Sequence, residues 1–319
     1  MSSMETASAV NRPAEPVVFF ADGVVVSEST MAFAAGFVDA PDAATSRVLW
    51  LFEDGWAADD VEQDFIVSLT YSAQRNQVFA LGRNGWVRSS GGNGKNFDFD
   101  SICGEYTEVQ IAGASDRGVM SRVRAIGGGV YACGWGSQVY KLAGTEWRPF
   151  EHGLDPSVRY GFLDINGPAE DDIHAIGMDG VIAHFDGTRW SVVDSITNLN
   201  LLSTACLANG EIVIVGADGT ILQGHKDSWS NLSHPAVTGN LWDVEAYEGR
   251  LFLVATSSPT GLFEQSHNGW VPVQHGSPTK PTTHRLCSGS GQLWSIGEYD
   301  LLKYDGVAWT VISCPENEP

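Results

Sequence analysis

From Val78 to Ile312 the chain repeats one short pattern of apolar and polar positions six times. An apolar, a large, a small and another apolar residue lead to a glycine. A turn follows, then an alternating segment, then Asp-Gly-x-x-Trp or a remnant of it. IHAIGMDGVIAHFDGTRWSVV (Ile173 to Val193) is a full copy. VYACGWGSQVYKLAGTEWRPF from Val130, IVIVGADGTILQGHKDSWSNL from Ile212 and LWSIGEYDLLKYDGVAWTVI from Leu293 stand beside it. LFLVATSSPTGLFEQSHNGWVPV from Leu251 and VFALGRNGWVRSSGGNGKNF from Val78 are looser. The landmark positions Gly82, Gly134, Gly177, Gly216, Ala255 and Gly297 lie 52, 43, 39, 39 and 42 residues apart. A fourth segment precedes each copy, such as SRVRAI (Ser121 to Ile126), LLSTACL (Leu201 to Leu207) or LWDVEAY (Leu241 to Tyr247). Alternation with period two, broken by Gly, Asn and Asp, predicts short strands joined by tight hairpins. No window carries a convincing helical period.

Four strands per unit of about forty residues, repeated along the chain, predict an all-β fold: a β-propeller with four-stranded blades around a channel. The large–small pairs Phe79-Ala80, Tyr131-Ala132, His174-Ala175 and Trp294-Ser295 suit a wedge-shaped blade, narrow inside and filled towards its neighbour. Trp147, Trp190, Trp229, Trp270 and Trp309 begin or precede the outermost strand, where a large ring packs between blades. The segments VVFFADGVVV, MAFAAGF and RVLWLFEDGW, with Gly36 as landmark and Asp54-Gly55-Trp56 as turn, supply a divergent further blade. The expectation is seven blades, with six as the alternative. It makes residues 17–314 one domain, preceded by a disordered segment 1–16 and followed by a tail 315–319.

The lines from Ile173 and Leu293 resemble bacterial β-propeller repeat proteins of the YVTN/WD40-like and BNR-like kind. That resemblance implies an architecture and no single function. The Ser-x-Asp-x-Gly-x-x-Trp box of the BNR type is never complete, and only its second half occurs, as at Asp186 and Asp305. The Gly-His and Trp-Asp pair of eukaryotic WD40 blades is absent too, so sialidase chemistry is not carried over.

Charge narrows the range of partners. With 39 acidic and 18 basic residues the formal charge is −21, unsuited to nucleic acid or an anionic membrane surface and suited to a basic partner. No stretch is long and apolar enough to span a bilayer, and Met1 to Pro16 lacks the pattern of a signal peptide, so a cytoplasmic location is expected. Five cysteines without C-x-x-C read as buried free thiols. The histidines show no metal-ligand spacing: His174 reads as a packed core residue and His184 as solvent-facing. Asp98 and Asp100 resemble the first ligands of a calcium loop whose remainder is missing. Glu53, Asp54, Asp59, Asp60, Glu62 and Asp64 read as a solvated connection or a docking surface for Lys and Arg. No nucleophile–base pair or phosphate loop emerges, so no catalytic residue, metal or cofactor is expected.

Function is therefore expected on the face carrying the interblade loops and the turns between second and third strands. Candidate partner-binding residues are Trp135, Asp179, Asp218, Tyr299, Asp300, His152, Asp155 and Arg159. Channel-lining candidates on the innermost strands are Arg122, Arg124, Asp164, Asp243, Glu245 and Arg285, of which alternation turns about half inward. The features fit a non-catalytic protein-binding propeller, monomeric by itself. One version is a cytoplasmic bacterial immunity protein or adaptor that masks a basic toxin or effector. The alternative is a propeller enzyme (lyase, lactonase or glycoside-active) or a carbohydrate-binding lectin using the channel mouth or blade loops.

Overall fold

The computed structural model describes residues 17–40, 44–91, 97, 106–277 and 280–317. The segment 1–16, Asp98, Asp100 and Cys103 lie outside them. Seven antiparallel sheets of four strands each follow one another along the chain as blades one to seven: residues 18–61, 66–110, 120–149, 162–193, 201–231, 241–272 and 285–312. Within every blade the strands pair in chain order, so all seven are simple meanders. The divergent first segment is a true blade, and its Asp54-Gly55 turn joins strands Ser46–Phe52 and Gly55–Val61.

The second strand of each blade is almost wholly buried: Gly129–Gly134 throughout, and Ile173 to Gly177 as well. The landmark glycines sit where the chain entering the inner strand of the same blade crosses close above, and a Cβ at Gly134 would lie 2.5 Å from the Val119 carbonyl oxygen. Register corrects one sequence assignment. In blade one Phe20 pairs with Ala35, as Ile66 pairs with Gly82 in blade two, so Ala35 and not Gly36 holds the landmark position. A bulge follows Phe20 as one follows Ile66, so the two inner strands align residue for residue beyond it.

The late tryptophans pack as expected. Trp190 is fully buried, stacks obliquely on Phe185, meets Phe150 edge-on and donates Nε1–H to the Phe150 carbonyl at 2.6 Å. That ring ties blade four to the loop leaving blade three. The acidic run around Asp60 is not one feature. Gly55–Val61 is the outer strand of blade one, Asp60 pairs with Arg47 at 2.6 Å, and Asp59 accepts Trp50 Nε1–H at 3.2 Å. Asp64 is fully buried, accepting N–H bonds from Phe65 at 2.8 Å and Asn84 at 2.6 Å; it pins the turn of blade two.

The ring closes without an interleaved strand. The amide of Phe20 donates to the Glu298 carbonyl at 2.9 Å, just as Met120 donates to Arg83 at 2.8 Å between blades two and three. Beyond Cys314 a short turn docks on blade one. Asn317 Oδ1 accepts both Val17 and Val18 N–H at 3.1 Å, and Glu316 pairs with Arg47.

Candidate functional site

The innermost strands carry one equivalent residue per blade, opposite the residue before the landmark: Asp22, Ser68, Arg122, Asp164, Ser203, Asp243 and Arg285. They form a polar ring at one level of the channel. Four of these side chains accept the amide N–H one residue further on in the next blade: Leu69 to Asp22 at 2.9 Å, Val123 to Ser68 at 3.3 Å, Thr204 to Asp164 at 2.8 Å and Leu286 to Asp243 at 3.0 Å. Short polar side chains recur here because each stitches a blade to its successor. Where the preceding ring residue is Arg122 or Ser203, the following Asp caps the amide after itself: Ile165 to Asp164 at 2.9 Å and Val244 to Asp243 at 3.0 Å.

All six channel candidates belong to this register, Arg124 and Glu245 lying two residues below the ring on the same faces. The expectation that only half face inward gives way to this alignment. Asp22, Ser68 and Ser203 were missed; their signal is the fixed offset of two from a large apolar residue, a pattern visible only once the bulges set the register. Asp164 accepts from Arg124 at 3.2 and 3.0 Å and lies 3.2 Å from Arg122 Nε, while Arg122 reaches Asp22 at 3.4 Å. Burial pushes the Asp164 carboxyl up, but Arg124 and Arg122 overcome it and hold the group down at about 2. Among the described residues no cation stands within ion-pair distance of Glu245, and Arg124 acts on it only from further off. Burial raises it to about 7, although Ser288 donates to it at 2.6 Å.

The expected partner-binding residues gather on the loop face. Trp135 (43% exposed), Asp179, Asp218 and Tyr299 (37% exposed) each occupy a turn between second and third strands, in blades three, four, five and seven. His152, Asp155 and Arg159 are exposed on the loop joining blades three and four. That loop's ends are fixed: the His152 carbonyl accepts Trp190 N–H at 2.8 Å, and Ser137 Oγ donates to Val158 and accepts from Tyr160, each at 2.9 Å. Asp155 folds onto Ser157, whose hydroxyl and amide hold its carboxyl below the usual range. The Trp135 turn is braced by Arg117, which donates to the Gly136 carbonyl at 3.0 Å and grips Glu151 at 2.8 and 3.0 Å. Asp300 differs from the rest. Its Oδ2 accepts the amide and hydroxyl of Thr282 at 2.9 and 2.7 Å, so it stabilises the loop. Trp242 (39% exposed), at the head of the blade-six inner strand, is an aromatic of this face that the sequence reading did not single out.

A cavity of about 810 Å3 opens at the mouth of the channel on this side, walled by Phe19, Phe20, Phe65 and Trp242, with Arg83, Lys280, Arg285 and Glu298 as its charged lining. Elsewhere, Asp172, His174 and His184 are ligand types whose atoms lie within 4.8 Å of one another and could hold a metal ion. As they stand, Asp172 takes His184 Nε2 at 2.9 Å and His225 Nε2 of the neighbouring blade at 2.6 Å. His184 is buried rather than solvent-facing, because the outer end of blade five covers it. Burial, reinforced by His184, drives His174 down to about 3, so it is neutral. Of the cysteines described, none forms a disulfide, and burial raises Cys206 to about 12.

Fold and face together define a class: a propeller scaffold built to bind, whose exposed residues differ from blade to blade on one loop face. The comparisons agree at both levels. The WD40 propeller domain of Doa1 superposes with a TM-score of 0.65 over 96% of this chain and 97% of that one, at 11% identity. Virginiamycin B lyase from Staphylococcus aureus superposes with a TM-score of 0.70, covering 90% and 94%, at 10% identity. Both are likenesses of fold alone. No protein-family model matches the chain. The immune protein Tsi7 of Pseudomonas aeruginosa is 33% identical over 218 residues, 66% of this chain and 70% of that protein. The chain belongs to the family of that immune protein.

Proposed function

We propose that the chain is an immunity protein that acts in the cytoplasm by capturing a basic protein toxin on the loop face and masking it. Membership of the Tsi7 family carries this reading, since that relative is an immune protein. The physics of the face supports it. Exposed Asp179, Asp218 and Asp155 belong to a chain of net charge −21, which steers a cationic partner towards it. Trp135, Trp242 and Tyr299 supply the rigid aromatic anchors that set a slow off-rate.

The test is affinity capture from the lysate of the source organism, followed by co-expression of whatever is captured. One stoichiometric protein whose expression alone arrests growth, and whose toxicity the chain abolishes, is the expected result. A captured protein that is harmless when expressed alone would contradict the immunity reading. Trp135→Ala should weaken that complex by about 2 kcal/mol with Tm unchanged, because the braced turn holds its shape without the ring.

A further inference from the structure

Blade seven departs from the other six where its inner strand begins. Two residues before the ring position the others carry a large buried apolar side chain: Phe20, Ile66, Met120, Phe162, Leu201 and Leu241. Blade seven carries Thr283, 3% exposed, whose Oγ1 meets no hydrogen-bond partner. The ring residue that follows is unmatched as well. Arg285 Nε is buried without an acceptor, and among the described residues no carboxylate stands within ion-pair distance of its guanidinium, whereas Arg122 and Arg124 have theirs. Asp22 and Asp243, the acids that act on it from further off, are engaged by Leu69 and Arg122 and by Ser203, Val244 and Leu286. Burial, then the like charge of Arg122, push the Arg285 pKa down. Native structures rarely leave an enclosed guanidinium N–H and a buried hydroxyl unmatched on one short segment.

Both groups line the mouth cavity, and the smaller threonine in place of a large apolar residue helps to open it. Its other cations are Arg83 and Lys280, against the single carboxylate of Glu298, in a chain that is acidic overall. Phe19, Phe20, Phe65 and Trp242 give the rest of its wall an aromatic side, with Thr256, Thr260 and Thr282 among the smaller residues. The site thus offers positive charge and a free hydroxyl beside aromatic and apolar side chains: a receptacle for an anion on an apolar stem. We propose that this cavity receives a carboxylate carried on an apolar stem and presented by the protein bound on the loop face, with Arg285 and Thr283 donating to it. The source of the carboxylate rests on the protein-binding reading; the chemistry of the cavity does not.

Phenylacetate is the probe, titrated by calorimetry into the full chain, with phenethylamine as its cationic counterpart. The expected result is saturable binding of phenylacetate with a Kd of about 1 mM, none of phenethylamine, and a loss of at least about tenfold in both Arg285→Gln and Thr283→Val. Because each variant removes an unmatched buried group, neither should lower Tm, and Thr283→Val should raise it. Phenylacetate that fails to bind, or that binds both variants as well as the parent, overturns the site whatever the partner is. If phenylacetate binds as expected but Arg285→Gln leaves the off-rate of the captured protein unchanged, insertion by the partner is overturned and the protein-binding reading stands. If both phenylacetate binding and partner retention fall in Arg285→Gln, the proposal holds in full.

Discussion

Glu245 shows how one residue's surroundings set a measurable property. Burial in the channel wall withholds the water that an ionised carboxylate needs, the like charge of Asp243 in the ring above adds to it, and its carboxyl rises from 4.5 to about 7. The unfolded chain therefore releases this proton from pH 4.5 upward while the folded chain still holds it, so stability falls as pH climbs through that window. Glu245→Gln removes the titration. Its advantage over the parent should be absent below pH 4.5 and grow to about 1 kcal/mol above pH 7, channel water screening part of the penalty; denaturant melts at pH 4.5 and 8 decide it. Asp164 behaves oppositely. Held at about 2 by Arg124 and Arg122 against its own burial, it contributes stability above 3.8 that is lost between 3.8 and 2. Asp164→Asn should flatten that acid limb and cost about 2 kcal/mol at neutral pH.

At the scale of the element, the turns between second and third strands explain why some exposed acids were legible and yet misread in part. Asp179 and Asp218 adopt positive φ, 54° and 51°, each followed by a glycine, and their amides are held by Asn200 and Asn240 from the next blade at 3.0 and 3.2 Å. Aspartate is there because the turn tolerates it as well as because it is charged. The two roles separate cleanly. Asp179→Asn with Asp218→Asn keeps the left-handed turn and should slow partner association while leaving Tm unchanged. Asp179→Ala should cost about 1 kcal/mol of stability through the same backbone position, measurable by urea unfolding. The strands themselves were readable because period two, small residues and Asp-Gly turns repeat in register. What the sequence concealed was the direction of each inner-strand side chain. A bulge near the head of these strands shifts the alternation, and no composition signal marks it. Asp64, Asp300 and His184 were hidden for a related reason: their partners, Asn84, Thr282 and Asp172, come from the far side of a turn or from a neighbouring strand.

For the whole molecule, closure is the decisive property. Most globular folds tolerate a loose end, but a ring whose blades are all complete meanders has only side chains and turns to join blade seven to blade one. The Phe20–Glu298 backbone bond and the Asn317 clasp on Val17 and Val18 make that seam. Asn317→Ala leaves the Val18 amide without its acceptor and the Val17 amide with the Glu316 carbonyl at 3.3 Å, and should cost about 1 kcal/mol, with hydrogen exchange in Val18–Val25 rising before that in the middle blades. A closed ring also keeps the loop face preorganised, so in the proposed complex a partner would meet Trp135, Trp242 and Tyr299 already in place, and charge would govern the encounter. The most direct test is therefore the association rate of the captured protein measured against ionic strength. The account predicts that this rate falls steeply as salt rises while the dissociation rate barely changes, and that the paired Asp→Asn variant starts lower and falls less. An association rate indifferent to salt, equal in parent and variant, would contradict it.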